Sequence, residues 1–580
     1  MLLFASIVGL DQVLDLSKLN NEFPPSREKL VLAFYYPWYG TPEVSGQWRH
    51  YDKVDLKNKD IEGWSHFPLY GVYDSSDPSV VERHFSQMKS SGIDGVVSSW
   101  WGIGTFEDRV VPLLLKKASK FGLKVSLYYE VVNGRDKYSS VLKDFKYIVQ
   151  KYGEHPSYLK VNGKPVLFVY SRVMGSVSPM VLKKAANEAG VFLVVDQISP
   201  FSALIFDGIH TYGAPGIFFY SRNLKEIKQR AFDYASNLVK TAGPSLAVMS
   251  ITPGYDDHEV PGRTTPFLDR YNGKLYEYQW RAALKYNPDW VVILTWNEWH
   301  EGTEIEPSVE FGDKYLKLTR KFSAKFHKKP VRKASRKLLA DKLLLKDQEK
   351  AVFEELVAGK KILSFAGIGY FSMICGLNGA KVYCADWSDL ASVEPGEYDV
   401  VVYEDGERYE SAYVDVLKEI SFKSYLVASA NLPFPFYYNE AGKPSPVTFE
   451  LGLPISGSGA NDRADYLGSV RGFETPPQEG LYFEVNPKYL VGYPRKVPFP
   501  RKGDKRFRPL VKPPADEARS ISLVVLRSPE GKYMGDACSV IRWKDGRKVA
   551  YIWFRLWDVF KPADLVKSVI LAMEDLEKSE

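Results

Sequence analysis

Short apolar runs alternate with amphipathic stretches in the first half of the chain. The runs are rich in Val, Ile, Leu, Phe and Tyr, which is typical of strands buried on both faces. The stretches between them have the apolar spacing of helices, as in Val80–Ser90, Val110–Phe121, Tyr138–Tyr152 and Leu224–Thr241. The eight predicted strands are Val31–Tyr36, Gly95–Trp100, Lys124–Tyr129, Pro165–Tyr170, Val191–Asp196, Phe206–Tyr212, Ser245–Ile251 and Trp290–Thr295.

Eight strand–helix repeats predict an α/β fold in which the strands close into a (β/α)₈ TIM barrel. An open, doubly wound sheet is the alternative, and the even number and spacing of the strands favour the barrel. A barrel places its chemistry at the carboxyl ends of its strands. Six of these ends are rich in polar and aromatic residues, namely Tyr36–Gly40, Ser98–Gly102, Glu130, His210–Tyr212, Thr252–Asp257 and Trp296–Gly302.

The pattern changes after residue 325. A charged amphipathic helix is predicted over Ala334–Glu354, and further strands follow from Lys361, with a hairpin at Lys544–Gly546 and a last helix over Ala563–Lys578. This order predicts a second α/β domain of the flavodoxin-like or Rossmann-like kind. We therefore predict a barrel over residues 1–325, a basic linker and helix over 326–357, and an α/β domain over 358–580. A Pro/Gly/Tyr-rich insertion is expected at about 431–515.

Composition narrows the classes of function. The 580 residues are 45% apolar and 26% charged, which is ordinary for a folded multidomain protein and excludes a disordered chain. The net charge is +6, and the basic stretch Lys325–Lys337 is interpreted as a solvated linker, so no nucleic-acid partner is expected. No apolar run is long enough to cross a membrane. We expect a cytoplasmic protein, or a secreted one if the apolar Met1–Leu10 is a truncated signal.

The most distinctive segment is Trp296–Pro307, which reads WNEWHEGTEIEP directly after the eighth predicted strand. Glu298 and Glu301 are three residues apart, a spacing that puts both on one side of a tight turn. Two carboxylates in an apolar aromatic cleft push their pKa values apart, so that one acts as an acid and the other as a base. Glycoside hydrolysis needs such a pair.

Two other interpretations of this segment fit its residues less well. Glutamates at a helix N-terminus, where the helix dipole favours negative charge, account for Glu304 and Glu306. They do not account for the two Trp, the Asn and the His beside Glu298 and Glu301. A zinc metalloprotease motif is excluded because His300-Glu301 is followed by Glu304 where the motif requires a second histidine.

Several motifs together resemble glycoside hydrolase family 99, the endo-α-1,2-mannosidases and mannanases. The resemblance extends from Tyr35 to Pro307, nearly the whole predicted barrel, with the motifs in family order. The matching segments are Tyr35–Gly40, Tyr73–Pro78, Ser99–Gly102, His155–Pro156, Asn162–Pro165, Thr252–Asp257 and Trp296–Pro307.

The resemblance implies a retaining, endo-acting enzyme that cleaves α-mannosides in an oligosaccharide or polysaccharide and needs no metal or other cofactor. It further implies that the sugar's own 2-hydroxyl takes part, through a 1,2-anhydro intermediate. By motif position, Glu298 would deprotonate that hydroxyl, while Glu301 would protonate the leaving oxygen and then activate water. A pair on one loop suits this chemistry, because the fourth strand ends Tyr170-Ser171-Arg172 with no carboxylate to act as nucleophile.

Substrate-binding residues are predicted from the other strand ends. Trp100 and Trp101 are expected to stack on sugar rings, Tyr36 and Tyr212 to bond near the reacting ring, and Glu130 to bind hydroxyls. Each has a structural alternative in barrel packing or an ion pair, and the lone histidines His66 and His210 are as well explained by a structural role. The full predicted set is Tyr36, Trp38, His66, Trp100, Trp101, Glu130, His210, Tyr212, Tyr255, Trp296 and Asn297.

The C-terminal domain carries weaker signals. Gly367-Ile368-Gly369 follows a predicted strand, but Ser372 replaces the third glycine of a nucleotide-binding fingerprint. The order of elements resembles the glutamine-amidotransferase-like domains that are attached to other glycosidases. We expect a structural or assembly module, through which the chain could form an oligomer. Two alternatives stay open: a barrel that binds glycans without cleaving them, and a transferase whose chemistry lies in this domain.

Overall fold

The structure is a computed structural model of the chain, and its described residues form two compact units. The first unit lies within residues 28–177 and 181–332, and the second within residues 8–9, 178–180 and 343–578. The described residues are 8–9, 28–130, 138–174, 177–332, 343–365, 369–385, 393–403, 409–410, 414–429, 436–438, 444–446, 479–499, 509–553, 556, 559 and 561–578.

Eight parallel strands of the first unit close into a barrel. They are β1 (Leu30–Tyr35), β2 (Gly95–Trp100), β3 (Lys124–Tyr129), β4 (Lys164–Val169), β5 (Phe192–Asp196), β6 (Gly208–His210), β7 (Leu246–Ile251) and β8 (Trp290–Ile293). Their order is β3-β2-β1-β8-β7-β6-β5-β4, and pairing of β3 with β4 closes the ring. The predicted TIM barrel is therefore confirmed, and the open sheet, which would leave two edge strands, is excluded.

A helix follows each barrel strand, and several begin at the cap residues that the sequence provides. Asp77 caps the first helix by accepting a hydrogen bond from the Ser79 amide, and Asn223 caps the sixth by accepting one from the Glu226 amide. The helices are α1 (Pro78–Ser90), α2 (Phe106–Phe121), α3 (Tyr138–Ile148), α4 (Pro179–Ala189), α5 (Pro200–Ile205), α6 (Leu224–Ala242), α7 (Lys274–Tyr286) and α8 (Lys314–Phe326).

Alternate side chains of the strands fill the inside of the barrel. Leu32 and Phe34 of β1 meet Phe168 of β4, Val194 of β5 and Val292 of β8 in one buried cluster. Because the strand period is two, the residues between them face the surrounding helices. The barrel is thus a packed core, and this core forms the floor of the cleft at the carboxyl ends of the strands.

The second unit is built on a sheet whose described part has ten strands. The parallel strands are β9 (Lys361–Phe365), β10 (Lys381–Ala385), β11 (Val400–Tyr403), β12 (Tyr425–Ser429) and β17 (Lys548–Ile552), and the antiparallel ones are β13 (Tyr482–Val485), β14 (Lys496–Pro498), β15 (Ala518–Arg527) and β16 (Tyr533–Trp543). The parallel part runs β10-β9-β11-β12-β17, the 2-1-3-4-5 order of flavodoxin-like sheets. Val8–Gly9 pairs antiparallel with β10 at one edge. The prediction of a second α/β unit is confirmed.

Helices cover this second sheet, and some of its predicted features cannot be placed. The helices are α9 (Asp347–Val357), α10 (Tyr370–Leu377), α11 (Val414–Lys423) and α12 (Pro562–Lys578). Residues 366–368, which hold most of the glycine motif, and much of the predicted insertion lie outside the described residues, as does the start of the helix predicted over 334–354. Among the residues that are described, no helix is both long and apolar enough to cross a bilayer.

Candidate active site

One turn at the carboxyl end of β8 carries both predicted catalytic carboxylates. The chain returns on itself after the strand, because the Thr295 amide donates to the Thr303 carbonyl (2.8 Å). Trp299–Glu301 forms a single 3₁₀ turn, with Glu298 as its N-cap residue. Residues three apart eclipse in a 3₁₀ turn, so Glu298 and Glu301 project on the same side, as their spacing predicts.

Gly302 ends this turn and fixes its position against the loop after β7. Its φ is +56°, in the left-handed region, and a Cβ there would lie 2.9 Å from the backbone oxygen of Asp256. The Asp256 amide in turn donates to the carbonyl of Glu301 (2.8 Å). Only glycine combines this backbone conformation with this close approach, so the turn that carries the two carboxylates is held against its neighbouring loop.

Glu298 is almost fully enclosed, with 4% of its surface exposed. Its Oε1 accepts a hydrogen bond from the His300 amide (3.3 Å) and lies 3.3 Å from Nδ1 of the His300 ring. The Glu298 amide donates a hydrogen bond to Oγ1 of Thr295 (2.8 Å). These contacts occupy Oε1, whereas Oε2 has no hydrogen-bond partner among the described residues.

Glu301 lies in different surroundings, between a phenol and a guanidinium. The Tyr212 hydroxyl donates to its Oε2 (3.1 Å), and Nη1 of Arg263 lies 3.6 Å from its Oε1. Burial and the charge of Glu298 raise the pKa of Glu301 to about 7, against the opposing effects of Arg263 and of the Tyr212 hydrogen bond. Glu301 therefore still holds its proton over part of the neutral pH range, as a general acid requires.

A pair of phenols leads from the first strand to Glu301. The Tyr36 hydroxyl donates to the Tyr212 hydroxyl (2.8 Å), which donates to Glu301. Burial and the nearby carboxylates raise the pKa of both phenols well above the usual value, so both stay protonated donors. Asn297 holds Tyr36 in place, because its side chain accepts from the Tyr36 amide (2.8 Å) and donates to the Tyr36 carbonyl (3.0 Å).

Glu130 forms a third acidic centre at the end of β3. The Ser99 hydroxyl donates to its Oε1 (2.9 Å), and the same Ser99 oxygen accepts the indole N–H groups of Trp38 (3.2 Å) and Trp101 (3.0 Å). Burial raises the pKa of Glu130 to about 8, opposed by the Ser99 hydrogen bond and increased by the charges of Glu298 and Glu301. Trp101 is 40% exposed and offers a ring face to a ligand.

Four predicted substrate-binding residues are fully buried in the structure. Trp100 has no exposed surface, and its indole donates to Asp108 (2.8 Å) on the helix side of β2. Trp296 and His210 are also fully buried, the latter in the barrel interior, and Asn297 is buried and bonded to Tyr36. Their burial does not favour direct substrate contact, because a stretch at a strand end alternates between cleft, core and helix side, and a substrate contact of these four stays a prediction.

The remaining predicted residues divide between two places. Tyr36 and Tyr212 are linked to Glu301 by hydrogen bonds. Trp38, Trp101 and Glu130 meet at Ser99, and the Trp38 ring packs against Tyr36 with centroids 4.4 Å apart. By contrast, His66 and Tyr255 line a cavity of about 450 Å³, whose described lining includes Asp256, Arg270, Gly302 and Phe311 but neither carboxylate. A substrate contact of His66 or Tyr255 stays a prediction.

Glu304 and Glu306 do not lie at a helix N-terminus, contrary to the sequence interpretation. Both are buried in the extended segment after the 3₁₀ turn. Arg270 pairs with Glu304 (2.6 Å), and His84 lies 2.9 Å from Glu306. Although burial alone would raise it, Arg270 and His66 hold the pKa of Glu304 below its usual value. A buried charge is stable only when it is paired, as both of these carboxylates are. Their pairs therefore hold the loop in place.

Sequence reasoning missed several residues that organise the site. Ser99 joins Glu130 to two indoles, and the only signal for it was its place at the end of β2. Asp196, at the end of β5, accepts the Tyr212 amide (2.7 Å) and so sets the start of the loop that carries this phenol. Trp64 contacts His300, and it comes from a loop between β1 and α1 that has no periodic pattern. Apart from Trp101, which is two residues from Ser99, these partners lie 16 to 236 residues from the residue they support.

Glu130 yields a stability prediction. Folding raises its pKa from 4.5 to about 8, so the folded state binds this proton more tightly and loses stability as the pH rises through this window. The cost is about 3 kcal/mol at pH 7. We expect Glu130→Gln to unfold at a higher temperature than the unmodified protein at pH 8 and at a similar temperature at pH 4.5, as measured by thermal unfolding.

Glu304→Gln is the matched control for this prediction, since Glu304 is equally buried but paired with Arg270. It should lower the unfolding temperature at pH 8, because it leaves the Arg270 charge without its partner. A lower unfolding temperature for Glu130→Gln at pH 8 would contradict the proposed burial cost.

Comparison with known proteins identifies the family of the barrel. The sequence profile of glycosyl hydrolase family 99 matches residues 26–329, more than half of the 580 residues. The chain belongs to glycosyl hydrolase family 99. The family 99 match covers the barrel unit and the whole turn that carries Glu298 and Glu301. The chain is accordingly a glycoside hydrolase, and the suspected resemblance is confirmed for the barrel.

Individual relatives agree with the family 99 assignment. The glycoprotein endo-α-1,2-mannosidase of Mus musculus is 31% identical over 374 residues, which are 54% of this chain and 78% of that protein. The Xenopus laevis protein of the same name is 31% identical over 363 residues, covering 53% and 79%. Among solved structures, the family 99 endo-α-mannosidase from Bacteroides thetaiotaomicron is 27% identical, covers 51% of this chain and 97% of that one, and has a TM-score of 0.44.

The described residues hold no candidate metal site, and their three cysteines lie in the second unit. No group of three or more His, Cys, Asp or Glu side chains in the described part of the chain is arranged to hold a metal ion. Cys375, Cys384 and Cys538 are buried in the second unit and form no disulfide with one another, and burial raises the pKa of Cys384 and Cys538 well above the usual range. The glutamine-amidotransferase-like resemblance of this unit stays a prediction.

Proposed function

We propose that this family 99 chain is a retaining, endo-acting α-mannosidase in which the 2-hydroxyl of the substrate is the nucleophile. The observation that carries the proposal is the turn Glu298–Glu301, which presents two carboxylates to one side in unlike surroundings. Glu298 has one free oxygen, and Glu301 has a pKa raised to about 7. The names of the animal relatives support the α-mannoside as the substrate class.

The carboxylates at the neighbouring described strand ends are poorly suited to act as a protein nucleophile, which also supports this proposal. Glu130 at the end of β3 is held protonated by a pKa raised to about 8, and Asp196 at the end of β5 accepts the amides of Tyr212 and Ser171. The strand β4 is followed by Tyr170, Ser171 and Arg172, none of which is a carboxylate. After β7, Asp257 is buried and accepts bonds from Tyr255 (2.9 Å), Arg263 (3.3 Å) and Thr265 (2.9 Å). An ordinary retaining pair would need a second carboxyl group at the opposite face of the sugar.

The proposed reaction has two balanced steps. In the first, Glu298 takes the proton of the 2-hydroxyl, the oxygen forms a bond to C1, and the C1–O bond to the leaving sugar breaks as Glu301 protonates that oxygen. In an α-mannoside the 2-hydroxyl and the leaving group are trans and diaxial, so the hydroxyl is aligned for this displacement. In the second step, Glu301 takes a proton from water as the water oxygen bonds to C1, the C1–O2 bond of the anhydro sugar breaks, and the 2-oxygen recovers its proton from Glu298.

Other groups of the site have consistent places in this scheme. Tyr212 donates to Glu301 and orients it, while Tyr36 supports Tyr212 from behind. Trp101, with its exposed ring, provides a surface on which a mannose unit can stack. Glu130 is held neutral at pH 7 by its raised pKa and can donate as well as accept hydrogen bonds to sugar hydroxyls.

The test is incubation of the full chain with linear α-mannan oligosaccharides and NMR analysis of the first products. We expect internal cleavage with the α-anomer formed first, which then mutarotates. An oligosaccharide with fluorine in place of the 2-hydroxyl at the cleaved sugar should bind but stay intact. Release of the β-anomer, cleavage of the fluorinated analogue, or binding without any turnover would contradict the proposal, and the last result would support a glycan-binding barrel.

A further inference from the structure

His300 lies between Glu298 and a buried indole. On one side, its Nδ1 is 3.3 Å from Oε1 of Glu298. On the other side, the indole N–H of Trp64 donates to its Nε2 at 3.2 Å. Trp64 comes from the loop between β1 and α1 and is 236 residues away from His300 in the sequence. The three side chains thus form a continuous line of polar contacts that ends at a catalytic carboxylate.

The chemistry of the three groups decides where the protons lie. An indole N–H can only donate, so Nε2 of His300 must be the acceptor and carry no proton. A neutral imidazole carries its single proton on the other nitrogen, here Nδ1. Nδ1–H therefore faces Oε1 of Glu298, which as a carboxylate can only accept. Every donor in this line meets an acceptor when His300 is neutral and protonated on Nδ1.

Trp64 is held firmly enough to impose this tautomer. It is buried, and its ring lies parallel to that of Trp299, with centroids 5.4 Å apart and planes inclined by 2°. On the same ring, Tyr51 stacks at 5.1 Å with an inclination of 29°. An indole packed in this way cannot turn its N–H away from His300 without disrupting the stack.

We propose that Trp64 and His300 are positioning residues that set the oxygen with which Glu298 acts as a base. His300 donates to Oε1 from its backbone amide and from Nδ1, so Oε1 is occupied and Oε2 is left to face the substrate. Trp64 acts one step further away, by holding His300 in the tautomer that can donate. This inference rests on the proposed function only for the role of Glu298, since the tautomer itself is a property of the free protein.

The test begins with the tautomer and needs no substrate. The protein is labelled with ¹⁵N-histidine, and the signal of His300 is assigned among the eight histidines by its loss in His300→Gln. In the unmodified protein we expect a protonated Nδ1 and an unprotonated Nε2. In Trp64→Phe the aromatic stack is retained but the indole N–H is lost, and the ¹⁵N shifts should move toward the Nε2-protonated form.

Trp299→Phe is the matched control. It removes an indole N–H from the same aromatic stack, but this group donates to the Tyr73 hydroxyl (3.2 Å) and not to His300. Both variants should lose a similar amount of thermal stability, whereas only Trp64→Phe should change the His300 tautomer. An unchanged tautomer in Trp64→Phe, or an equal change in Trp299→Phe, would overturn the inference.

The second arm measures turnover of the α-mannan substrate. In Trp64→Phe we expect kcat to fall about tenfold with little change in KM, because the changed tautomer removes the Nδ1–H that donates to the Glu298 carboxylate. If the unmodified protein does not cleave the substrate, the proposed function fails while the tautomer result still stands. If it cleaves the substrate and Trp64→Phe is equally active despite a changed tautomer, the positioning role is wrong.

Discussion

Glu298→Gln is expected to lower kcat on α-mannan oligosaccharides by at least about 10³-fold, with binding of the oligosaccharide retained. Glutamine keeps the shape of the side chain but cannot accept the proton of the 2-hydroxyl. Glu301→Gln should cause a loss of similar size on the same substrate, because the leaving sugar oxygen needs its proton. Steady-state kinetics and isothermal titration with the intact oligosaccharide measure the two quantities.

The two variants should differ when the leaving group no longer needs a proton. With a mannosyl fluoride of the oligosaccharide, the first step of Glu301→Gln should recover much of its rate, whereas Glu298→Gln should stay inactive. Glu62→Gln, in an exposed ion pair with Lys53 (2.9 Å), is the control and should leave the kinetics unchanged. Equal recovery of both variants would show that the acid and base roles are assigned wrongly. If either variant were nearly as active as the unmodified protein, the residue it replaces would have no part in the mechanism.

The rate is also expected to fall steeply at alkaline pH. Glu301 must be protonated to donate to the leaving oxygen, and its pKa is raised to about 7. Activity that depends on the protonated form is present below that pKa and lost above it, so kcat/KM should decrease about tenfold per pH unit at higher pH. From pH 7 to pH 9 the loss should be about 50-fold, because half of Glu301 is already ionised at pH 7.

Arg263 should set the pH at which this fall in kcat/KM, the alkaline limb of the pH profile, begins. Its guanidinium lies 3.6 Å from Oε1 of Glu301 and lowers the pKa of that carboxyl. Arg263→Met should therefore shift the limb to higher pH, by about half a unit because Arg263 is partly exposed. Arg263→Lys keeps the charge and should leave the limb near its original place. A downward shift in Arg263→Met, or an alkaline limb insensitive to both changes, would contradict the assignment of Glu301 as the acid.

The architecture of the barrel was predictable because it follows from periodicity. Each strand is a short apolar run between amphipathic helices, and alternation along β1 places Leu32 and Phe34 in the interior. Such patterns depend on local spacing and burial, which a sequence displays directly. The second unit was recognised as α/β for the same reason.

The substrate-binding set was predicted less well, as the neighbours Trp100 and Trp101 illustrate. One is fully buried against Tyr129 and Asp108, and the other is 40% exposed beside Trp38. Both are tryptophans at the same strand end, so composition could not separate them. The distinction depends on where β2 stops and how the backbone turns at Gly102, which adopts a φ of +124°.

The sequence by itself determined the turn that carries Glu298 and Glu301. Glu298, Glu301 and Gly302 are close along the chain, and backbone geometry over four residues is enough to present both carboxylates on one side. Only the tertiary structure decided what each carboxylate meets: Tyr212 reaches Glu301 across 89 residues, and Trp64 reaches His300 across 236. The physical reason is that these partners come together through closure of the barrel and the lengths of its loops. Neither can be predicted from the local spacing of residues.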